Sequence, residues 1–365
     1  MMKILLVGEY SNVHATLALG LKELGHQVTV LSNGDFFKDY PRDIDVTRRP
    51  GKLGGIRLIA RLYTLLSKLR GYDIVQLINP MFFELKAERL FWFYRYLRKH
   101  NKRVFLGAFG MDWYWVHTCT FDKPLRYSDF NMGDTLRTDA ETVNYQRDWL
   151  GTAKERLNKL IAEDCDGIIA GLYEYWACYH PVFADKTSFI PFPIKMPESY
   201  HTDRAQPSKV VIFIGINRQR SAYKGTDIML RAAQDVLLKH PDKMQLVKVE
   251  SAPFAQYQKL MEGSDAILDQ LYAYTPSMNP LLAMSKGIIC IGGGEPENYE
   301  IINETELRPI INVEPTYDSV YHELEQLVCH PERIPDLKRQ SVEYVRRHHD
   351  YLKVARQYLD AWHKK

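Results

Sequence analysis

Short apolar segments alternate with segments of helical periodicity from the start of the chain, and this alternation limits the folds open to it. The first apolar segments are Lys3–Val7, Gln27–Leu31, Asp73–Leu77, Arg103–Leu106 and Gly167–Ala170. Apolar runs separated by helices are typical of a parallel sheet with helices on both faces. We therefore predict an α/β fold in which ligands bind at the carboxyl ends of the strands.

The alternation stops once, at a proline-rich stretch, and then begins again. Ser188–Pro207 contains four prolines and is typical of a linker. A second set of apolar segments follows: Lys209–Ile214, Gln245–Glu250, Ala266–Leu268, Ile288–Ile291 and Ile310–Val313. We predict two Rossmann-like domains facing across a cleft, over residues 1–195 and 196–345. The helical residues 346–365 either cross back to the first domain or pack on the second.

Composition argues against several classes of protein. Of the 365 residues, 45% are hydrophobic and 25% are charged, as in globular proteins. The five cysteines are scattered without a CxxC pair, which indicates neither a disulfide framework nor a zinc site. The sequence also lacks the run of about 18 apolar residues that a membrane-spanning helix needs.

The start of the chain bears on its localisation. The apolar core of the opening MMKILLVGEYSN is too short for a signal peptide. We expect a cytoplasmic protein.

The stretch VVIFIGINRQRSAYKGTDIMLRAA places basic residues where a buried strand gives way to a helix. Free N–H groups and the dipole at the start of such a helix attract anions. Arg218, Arg220 and Lys224 add positive charge, and Gly225 lets a ligand approach the backbone. The arrangement suits a diphosphate; the alternative is a solvated basic loop. The lack of a GxxxxGK[ST] loop, and of GxGxxG after the first strand, argues against a P-loop NTPase or a dehydrogenase.

Two Asp-x-Asp triplets, Asp43–Asp45 and Asp164–Asp166, match a weak pattern for a divalent metal bound to a diphosphate. One triplet lies in a charged loop and the other opens a strand. We interpret both as structural, and we expect neither a metal nor a cofactor.

Positive charge is concentrated between Thr47 and Arg103, where 14 Lys and Arg face 3 Asp and Glu, an excess of +11. The rest of the chain therefore carries +3 − 11 = −8. Within the window, Gly54–Arg70 has helical periodicity with basic residues interspersed. One interpretation is that this helix packs on a core, and the other is that its basic face rests on an anionic membrane surface. The two are compatible, because different faces of one helix are involved. We expect no nucleic-acid partner, because no recognised binding module is present.

Thr118–Asp148 departs from the general pattern. The segment is polar and charged and has no clear periodicity. A loop of this length in a compact domain is usually functional or disordered.

Five segments resemble, in the same order along the chain, motifs of the GT-B glycosyltransferases. They are KILLVGEYSNVHATLALGLKELGHQVTVL, FGMDWYW, FIPFPIK, GINRQRSAYKGTDIMLRAA and DAILDQLYAYTPSMNPLLAMSKGIICIGG. The second resembles the "HGSD" motif, with Phe109 where histidine is usual. The shared order over most of the chain is similar to family 4, whose enzymes use nucleotide sugars and retain the configuration of the transferred sugar.

The resemblance implies how the donor is held. Lys224 matches the lysine of the donor-phosphate motif, and Arg218, or else Arg220, matches its arginine. These cations would stabilise the charge that develops on the leaving phosphate, and no metal is required for that. Phosphate could also bind the backbone at the next helix start, which is formed by Ser277, Met278 and Asn279.

The chain departs from the family at its paired glutamates, spaced E-x7-E. Aligned on Gly287, they fall at Tyr274 and Leu282, and neither is acidic. Either Asp269, Gln270, Asn279 or Glu295 takes the place of a glutamate, or donor binding is altered or lost.

On the acceptor side we expect Asp112 and His14 to be catalytic. Trp113, Trp115 and His117 follow Asp112 closely and could stack on a sugar or bind the acceptor. The alternative interpretation makes the aromatic residues part of the core, Asp112 a turn residue and His14 a capping or surface residue.

The main hypothesis is a transferase that moves a sugar from a nucleotide-sugar donor to a hydroxyl of a glycan or lipid-linked acceptor with retention, in polysaccharide or glycolipid biosynthesis. It would act at the cytoplasmic face of a membrane. A second hypothesis is a catalytically impaired homologue that binds a sugar or a partner. A third is a nucleotide-sugar epimerase, which would need no acceptor.

Overall fold

The computed structural model describes residues 1–198, 209–250 and 254–364; residues 199–207 of the predicted linker lie outside this range. The strands are β1 Lys3–Val7, β2 Gln27–Ser32, β3 Ile44–Asp45, β4 Ile74–Leu77, β5 Arg103–Ala108, β6 Asn131–Met132, β7 Thr135–Leu136, β8 Gly167–Ala170, β9 Thr187–Phe189, β10 Val210–Ile216, β11 Met244–Glu250, β12 Ala266–Leu268, β13 Ile289–Gly292 and β14 Ile311–Asn312.

The helices are α1 Val13–Glu23, α2 Gly54–Leu65, α3 Ala87–His100, α4 Trp113–Phe121, α5 Ala140–Trp149, α6 Ala153–Asp164, α7 Tyr173–Tyr179, α8 Ser221–Lys224, α9 Thr226–Lys239, α10 Phe254–Met261, α11 Met278–Ser285, α12 Pro296–Ile301, α13 Tyr317–Cys329, α14 Ile334–His348 and α15 Tyr351–His363. Short 3-10 turns occupy Phe36–Lys38, Leu66–Lys68, Arg218–Arg220 and Pro331–Arg333.

The chain divides into two compact units. Unit 1 comprises Met1–Pro124, Asn144–Pro193 and Tyr351–Lys365, and unit 2 comprises Leu125–Val143 and Ile194–Asp350. The α15 helix thus belongs to unit 1. It contacts α1 at Gly20, where an added Cβ would lie 2.6 Å from the carbonyl oxygen of Tyr351.

A seven-stranded sheet forms the centre of unit 1. Its order is β3-β2-β1-β4-β5-β8-β9, and every pairing is parallel. In the interior strand β1, Ile4 pairs with Val28 on one side and with Ile74 on the other, and all three are buried. The strand order reverses direction between β1 and β4, which is where ligands bind in such sheets.

Unit 2 contains a five-stranded parallel sheet of order β11-β10-β12-β13-β14. Its core packs Ile212 and Ile214 of β10 against Met229 of α9, and Ile289 of β13 against the same cluster. The order reverses between β10 and β12, so a second ligand position is expected there. The two parallel sheets confirm the predicted α/β class with Rossmann-like domains.

The Thr118–Asp148 region is ordered, although its sequence lacks periodicity. After α4, residues Leu125–Val143 join unit 2 and form the antiparallel hairpin β6–β7 and the start of α5. Asn131 organises the hairpin, because its amide donates to the carbonyl oxygens of Leu125 and Gly133. Such local side-chain bonds explain why no helical or strand period appears in the sequence.

An ion pair in unit 2 gives a test of this packing. Lys338 of α14 donates to Asp265 at 2.8 Å, with side chains 5% and 0% exposed, and Asp265 also accepts from the backbone N–H of Val211. The Lys338→Met variant leaves a buried carboxylate without its cation, so we expect the free energy of unfolding to fall by about 3–5 kcal/mol. Urea unfolding measures this. Lys286→Met removes a more exposed ion pair with Glu262 and should change the free energy of unfolding little. Equal losses of stability in the two variants would show that the buried Lys338–Asp265 pair has no special role in the packing of unit 2.

Candidate functional site

Lys224 lies at the reversal point of the unit 2 sheet, between the ends of β10 and β12. Its carbonyl oxygen accepts a hydrogen bond of 3.0 Å from the backbone N–H of Leu271. The next residue, Gly225, has φ +71°, and an added Cβ would lie 2.8 Å from Leu271 Cδ1. Glycine is therefore required twice over, by backbone conformation and by space. The result is a lysine fixed directly before the positive end of α9.

A carboxylate and an amide share this position with Lys224. Asp269 follows β12 directly, and burial raises its pKa to about 6 although Lys224 and a hydrogen bond from Asn279 oppose the shift. The Asn279 side chain also donates to the hydroxyl of Tyr257 at 2.9 Å. Gly215 of β10 makes room for the Tyr257 ring, since an added Cβ would lie 2.3 Å from it. A cation, a carboxylate, an amide and a phenol thus meet at one strand end.

Both candidate arginines are engaged with carboxylates. Arg218 forms an ion pair with Glu250 at the end of β11, and its side chain is 78% exposed. Arg220 donates to Glu141 at 2.8 Å and lies over the ring of Tyr223. The sequence favours Arg218 over Arg220. The ion pair of Arg218 with Glu250 is exposed and weak, so an incoming anion can displace Glu250 more easily than it can displace Glu141 from Arg220.

The start of α11 carries three of the predicted donor-binding residues. Ser277 is the N-cap residue and makes no side-chain capping bond, and Met278 is buried. Asn279, in the first turn, belongs to the Asp269 cluster described above. The structure therefore brings Lys224, Gly225, Asp269 and Asn279 together.

Glu295 is predicted to bind the donor but is already fully engaged. Its Oε1 accepts from the hydroxyl of Tyr127 and from the amide of Asn312, and its Oε2 accepts from Arg126 at 2.7 Å. Arg126 also pairs with Glu297. With both oxygens occupied, Glu295 acts in this structure as an anchor for the Leu125–Val143 segment. Asp269 is therefore the better candidate of the two carboxylates for contact with a ligand.

The two positions of the missing glutamates differ in their surroundings. Tyr274 is buried, and its hydroxyl accepts from the backbone N–H of Arg126 at 2.8 Å. Leu282 is only partly buried and supplies no polar side-chain atom. Neither position can accept a hydrogen bond in the way that a carboxylate does.

In unit 1, His14 lies at the reversal point between β1 and β4. Its Nδ1–H donates to the carbonyl oxygen of Gly8 at 2.8 Å, so Nε2 carries a lone pair. That Nε2 is buried and has no hydrogen-bond partner. Burial lowers the pKa of His14 to about 4, which keeps the ring neutral. The ring meets Phe109 edge-on at a centroid distance of 6.3 Å.

Asp112 is a buried helix cap. Its Oδ1 accepts from the N–H of Trp115 at 2.9 Å, and its Oδ2 accepts from the hydroxyl of Tyr179 at 2.8 Å. Burial raises its pKa to about 7. The geometry matches the alternative interpretation of Asp112 as a turn residue, because the carboxylate supports α4.

The aromatic residues after Asp112 pack inside unit 1. Trp115 is buried against Tyr175, and Trp113 is buried beneath Lys159, whose ammonium lies 4.0 Å from the ring centroid. His117 is half-buried and packs on Trp113. The tryptophans are thus core residues in this conformation, with no open ring face for a sugar. The aromatic-rich sequence of α4 could not reveal this, since core and stacking aromatics look alike.

The carboxylates of both Asp-x-Asp triplets make local contacts. Asp45 accepts from Arg42, and Asp166 accepts from Arg98 and from the N–H of Val104. Within residues 1–198, 209–250 and 254–364, no three His, Cys, Asp or Glu side chains are grouped to hold a metal ion. In the same ranges, every helix is too short or too polar to cross a membrane.

Comparison with known proteins gives the fold. No family model and no curated protein sequence matches the chain. Among solved structures, sucrose-phosphate synthase from Thermosynechococcus elongatus is similar with a TM-score of 0.65 and 14% identity, over 99% of this chain and 98% of that one. HepE from Anabaena, in complex with UDP and glucose, has a TM-score of 0.58 and 12% identity over 99% of both chains. The lipopolysaccharide outer core galactosyltransferase WaaB has a TM-score of 0.54 and 14% identity over 99% of both chains. The chain therefore has the predicted GT-B fold.

Several polar residues of the site lack a signal in the sequence. Tyr257 reaches Asn279 only because β10 carries Gly215 opposite it. Arg126 and Tyr127 reach Glu295 across 169 and 168 positions of sequence. The only available indication was the aperiodic Thr118–Asp148 region, which pointed to function or disorder without naming a partner.

Glu9 gives a test of the His14 surroundings. Its carboxylate accepts from the N–H groups of His14 and Ala15 at 3.2 and 2.8 Å, and burial raises its pKa to about 8. A raised carboxyl pKa contributes stability that is complete below the unfolded value of about 4.5 and is lost as pH rises towards 8. Glu9→Gln stays neutral, so its free energy of unfolding should fall less between pH 5 and 8 than that of the wild type.

Urea unfolding at both pH values measures the difference. The exposed Glu88 of α3 provides the matched control, as Glu88→Gln should leave the wild-type pH dependence in place. Parallel pH dependence in wild type and Glu9→Gln would show that Glu9 does not titrate in this way.

Proposed function

We propose that this protein is a glycosyltransferase that binds a nucleotide-sugar donor in unit 2, which includes the whole range 196–345 of the predicted donor domain. The observation that carries the proposal is that Lys224 and Asp269 lie near each other, close enough to interact electrostatically, at the strand reversal of a GT-B fold. A lysine beside the positive end of a helix suits a diphosphate. A carboxylate and an amide within the same cluster suit sugar or ribose hydroxyls. HepE, of the same fold, was solved with UDP and glucose.

The reaction needs electrostatic stabilisation and little covalent chemistry from the protein. When the bond from the anomeric carbon to the diphosphate breaks, negative charge grows on the leaving phosphate. Lys224, with Arg218 once it is released from Glu250, stabilises that charge. An acceptor hydroxyl of a glycan or lipid-linked sugar attacks from the same face, which retains the configuration as in family 4. We propose that neither a metal nor a cofactor takes part.

Asp269 is our proposed substitute for a family glutamate. It is better placed than Glu295, whose oxygens are all engaged. With a pKa of about 6, Asp269 is mainly ionised at pH 7 and can accept hydrogen bonds from two hydroxyls.

On the acceptor side, we propose a role for His14. The neutral ring offers a lone pair on Nε2 that can accept a hydrogen bond from a hydroxyl group. Asp112 acts at a distance by capping α4 and is a positioning residue in this scheme. His117, as the partly exposed member of the aromatic group, remains a candidate for acceptor contact.

A second candidate function rests on Tyr274 and Leu282. Without carboxylates at these positions, the protein could bind a nucleotide sugar or a glycan and fail to transfer it. The two functions share the Lys224 site and differ in turnover. An enzyme releases nucleoside diphosphate from the donor on incubation, whereas a binding protein leaves the donor intact.

Nucleotide binding is tested by thermal shift with UDP, GDP, ADP, CMP and their sugars. We expect one nucleotide to raise the melting temperature, because at about 100 times Kd a ligand stabilises the native state by about 2.7 kcal/mol. Lys224→Ala should lower the rise markedly through loss of the phosphate contact. Lys209→Ala removes an exposed lysine just before the opposite end of β10, so this variant should show the same rise in melting temperature as the wild type. A flat response in the wild type, or an equal response in Lys224→Ala, would overturn the proposed donor site.

We further propose that unit 1 rests on an anionic membrane surface, where a lipid-linked acceptor would be found. On α2, Ile56 is 64% exposed, and Tyr63, two turns later, is exposed and contacts the exposed Trp92 of α3 at 5.0 Å. Arg57 and the partly engaged Arg61 flank them and are exposed. Exposed apolar rings among basic side chains are typical of interfacial helices.

Vesicle flotation tests this contact with equal parts phosphatidylglycerol and phosphatidylcholine, and with phosphatidylcholine alone. The wild type should float with the anionic vesicles only. Ile56→Ser with Tyr63→Ser should lower the bound fraction several-fold, because apolar area is lost from the interface. Leu238→Ser, at an 84% exposed leucine of unit 2, is the matched control and should bind like the wild type. Equal binding by all variants would exclude the α2 surface.

A further inference from the structure

The Leu125–Val143 segment holds the helix that carries Lys224. It leaves the rest of unit 1 after Pro124 and belongs to unit 2 until Val143. Three of its side chains contact α8 or the turn before it: Asp129 accepts from the hydroxyl of Tyr223 at 2.6 Å, Glu141 accepts from Arg220, and Arg137 reaches the carbonyl end of α8. The role of this segment is not explained by the donor site alone.

Arg137 makes the most extensive of these contacts. Its guanidinium donates to the carbonyl oxygens of Ala222 and Tyr223 at 2.9 and 3.0 Å. It also lies 3.5 Å from the centroid of the Tyr272 ring, and the side chain is only 8% exposed. The bonded carbonyls belong to the two residues that directly precede Lys224.

A helix of four residues cannot hold its own carbonyl end. The last carbonyl groups of any helix lack intrahelical partners, and a cation near them is favoured by the helix dipole. In α8 the N–H of Gly225 reaches the carbonyl oxygens of Ser221 and Ala222, and the N–H of Leu271 bonds to that of Lys224. The carbonyl end of this short helix therefore also uses donors from other elements. Arg137 supplies two such hydrogen bonds from its planar guanidinium group, and this group also packs against the ring of Tyr272.

We propose that Arg137 is a positioning residue for donor binding: it fixes the carbonyl end of α8 and thereby aims Lys224 at the donor diphosphate. Leu125–Val143 is then a built-in part of the donor site, although most of the residues around it in sequence belong to unit 1. The ligand part of this inference rests on the proposed function. The mechanical part, that Arg137 holds α8, does not.

Hydrogen exchange on the ligand-free protein tests the mechanical part. Arg137→Met keeps much of the side-chain volume and removes the donors, so amides in 218–226 should exchange several-fold faster, while those of α13 stay unchanged. Arg339→Met is the matched control, because this arginine of unit 2 pairs with Asp336 on the exposed side of α14. Unchanged exchange at 218–226 in Arg137→Met, or the same increase in Arg339→Met, would overturn the proposal.

A double-mutant cycle tests the link to the donor. Titration calorimetry with the nucleotide that stabilises the wild type should give a Kd about tenfold weaker for Arg137→Met. In a Lys224→Ala background the same change should have little further effect, because Arg137 acts through Lys224. Arg137→Lys, which keeps a cation able to donate to the carbonyls, should recover part of the affinity.

The outcomes separate the two proposals. Additive losses in the cycle would show that Arg137 acts independently of Lys224, and the inference would fail while the donor site stood. If the wild type binds no nucleotide, the proposed function and the ligand part of the inference both fail, and the exchange experiment alone decides whether Arg137 holds α8.

Discussion

The hydrogen bond from the Leu271 N–H to the Lys224 carbonyl joins two loops that leave neighbouring strands, and the geometry of the proposed donor site depends on it. It forms only because Gly225 adopts positive φ and carries no side chain against Leu271. Once the loops are joined, the end of α8, the start of α9 and the residue after β12 have fixed positions. Lys224 and Asp269 then lie in one cluster, where Asn279 also bonds to the Asp269 carboxylate.

The charges around this junction differ in how easily they can be exchanged. The ion pair of Arg218 with Glu250 is exposed, and such pairs contribute little to stability. A diphosphate can therefore replace Glu250 as the partner of Arg218 at small cost. The contacts of Glu295 are different, since its carboxylate is buried and accepts from three donors. Breaking them would leave a buried charge unpaired, so we propose Asp269, and not Glu295, as the carboxylate that contacts the ligand.

The sequence predicts what depends on periodicity and on short-range pattern. The alternating segments predict the two parallel sheets, and the ordered motifs predict the GT-B fold. Burial of individual aromatic residues could not be predicted, because Trp113 and Trp115 would show the same pattern on a surface. Contacts between distant segments were equally inaccessible. Arg137 meets Tyr272 and the α8 carbonyls across more than eighty positions, and nothing local to Arg137 indicates this.

The missing glutamates and the Leu125–Val143 segment are physically connected through Tyr274. At the position of the first family glutamate, the Tyr274 hydroxyl accepts from the Arg126 N–H, and its ring packs on Tyr127 at 4.8 Å. A glutamate there would place a third carboxylate beside Glu295 and Glu297, with Arg126 as the shared cation. Like charges at this spacing repel and raise one another's pKa. We therefore expect a glutamate in place of Tyr274 to weaken the docking of the Leu125–Val143 segment and not to create a donor-binding carboxylate.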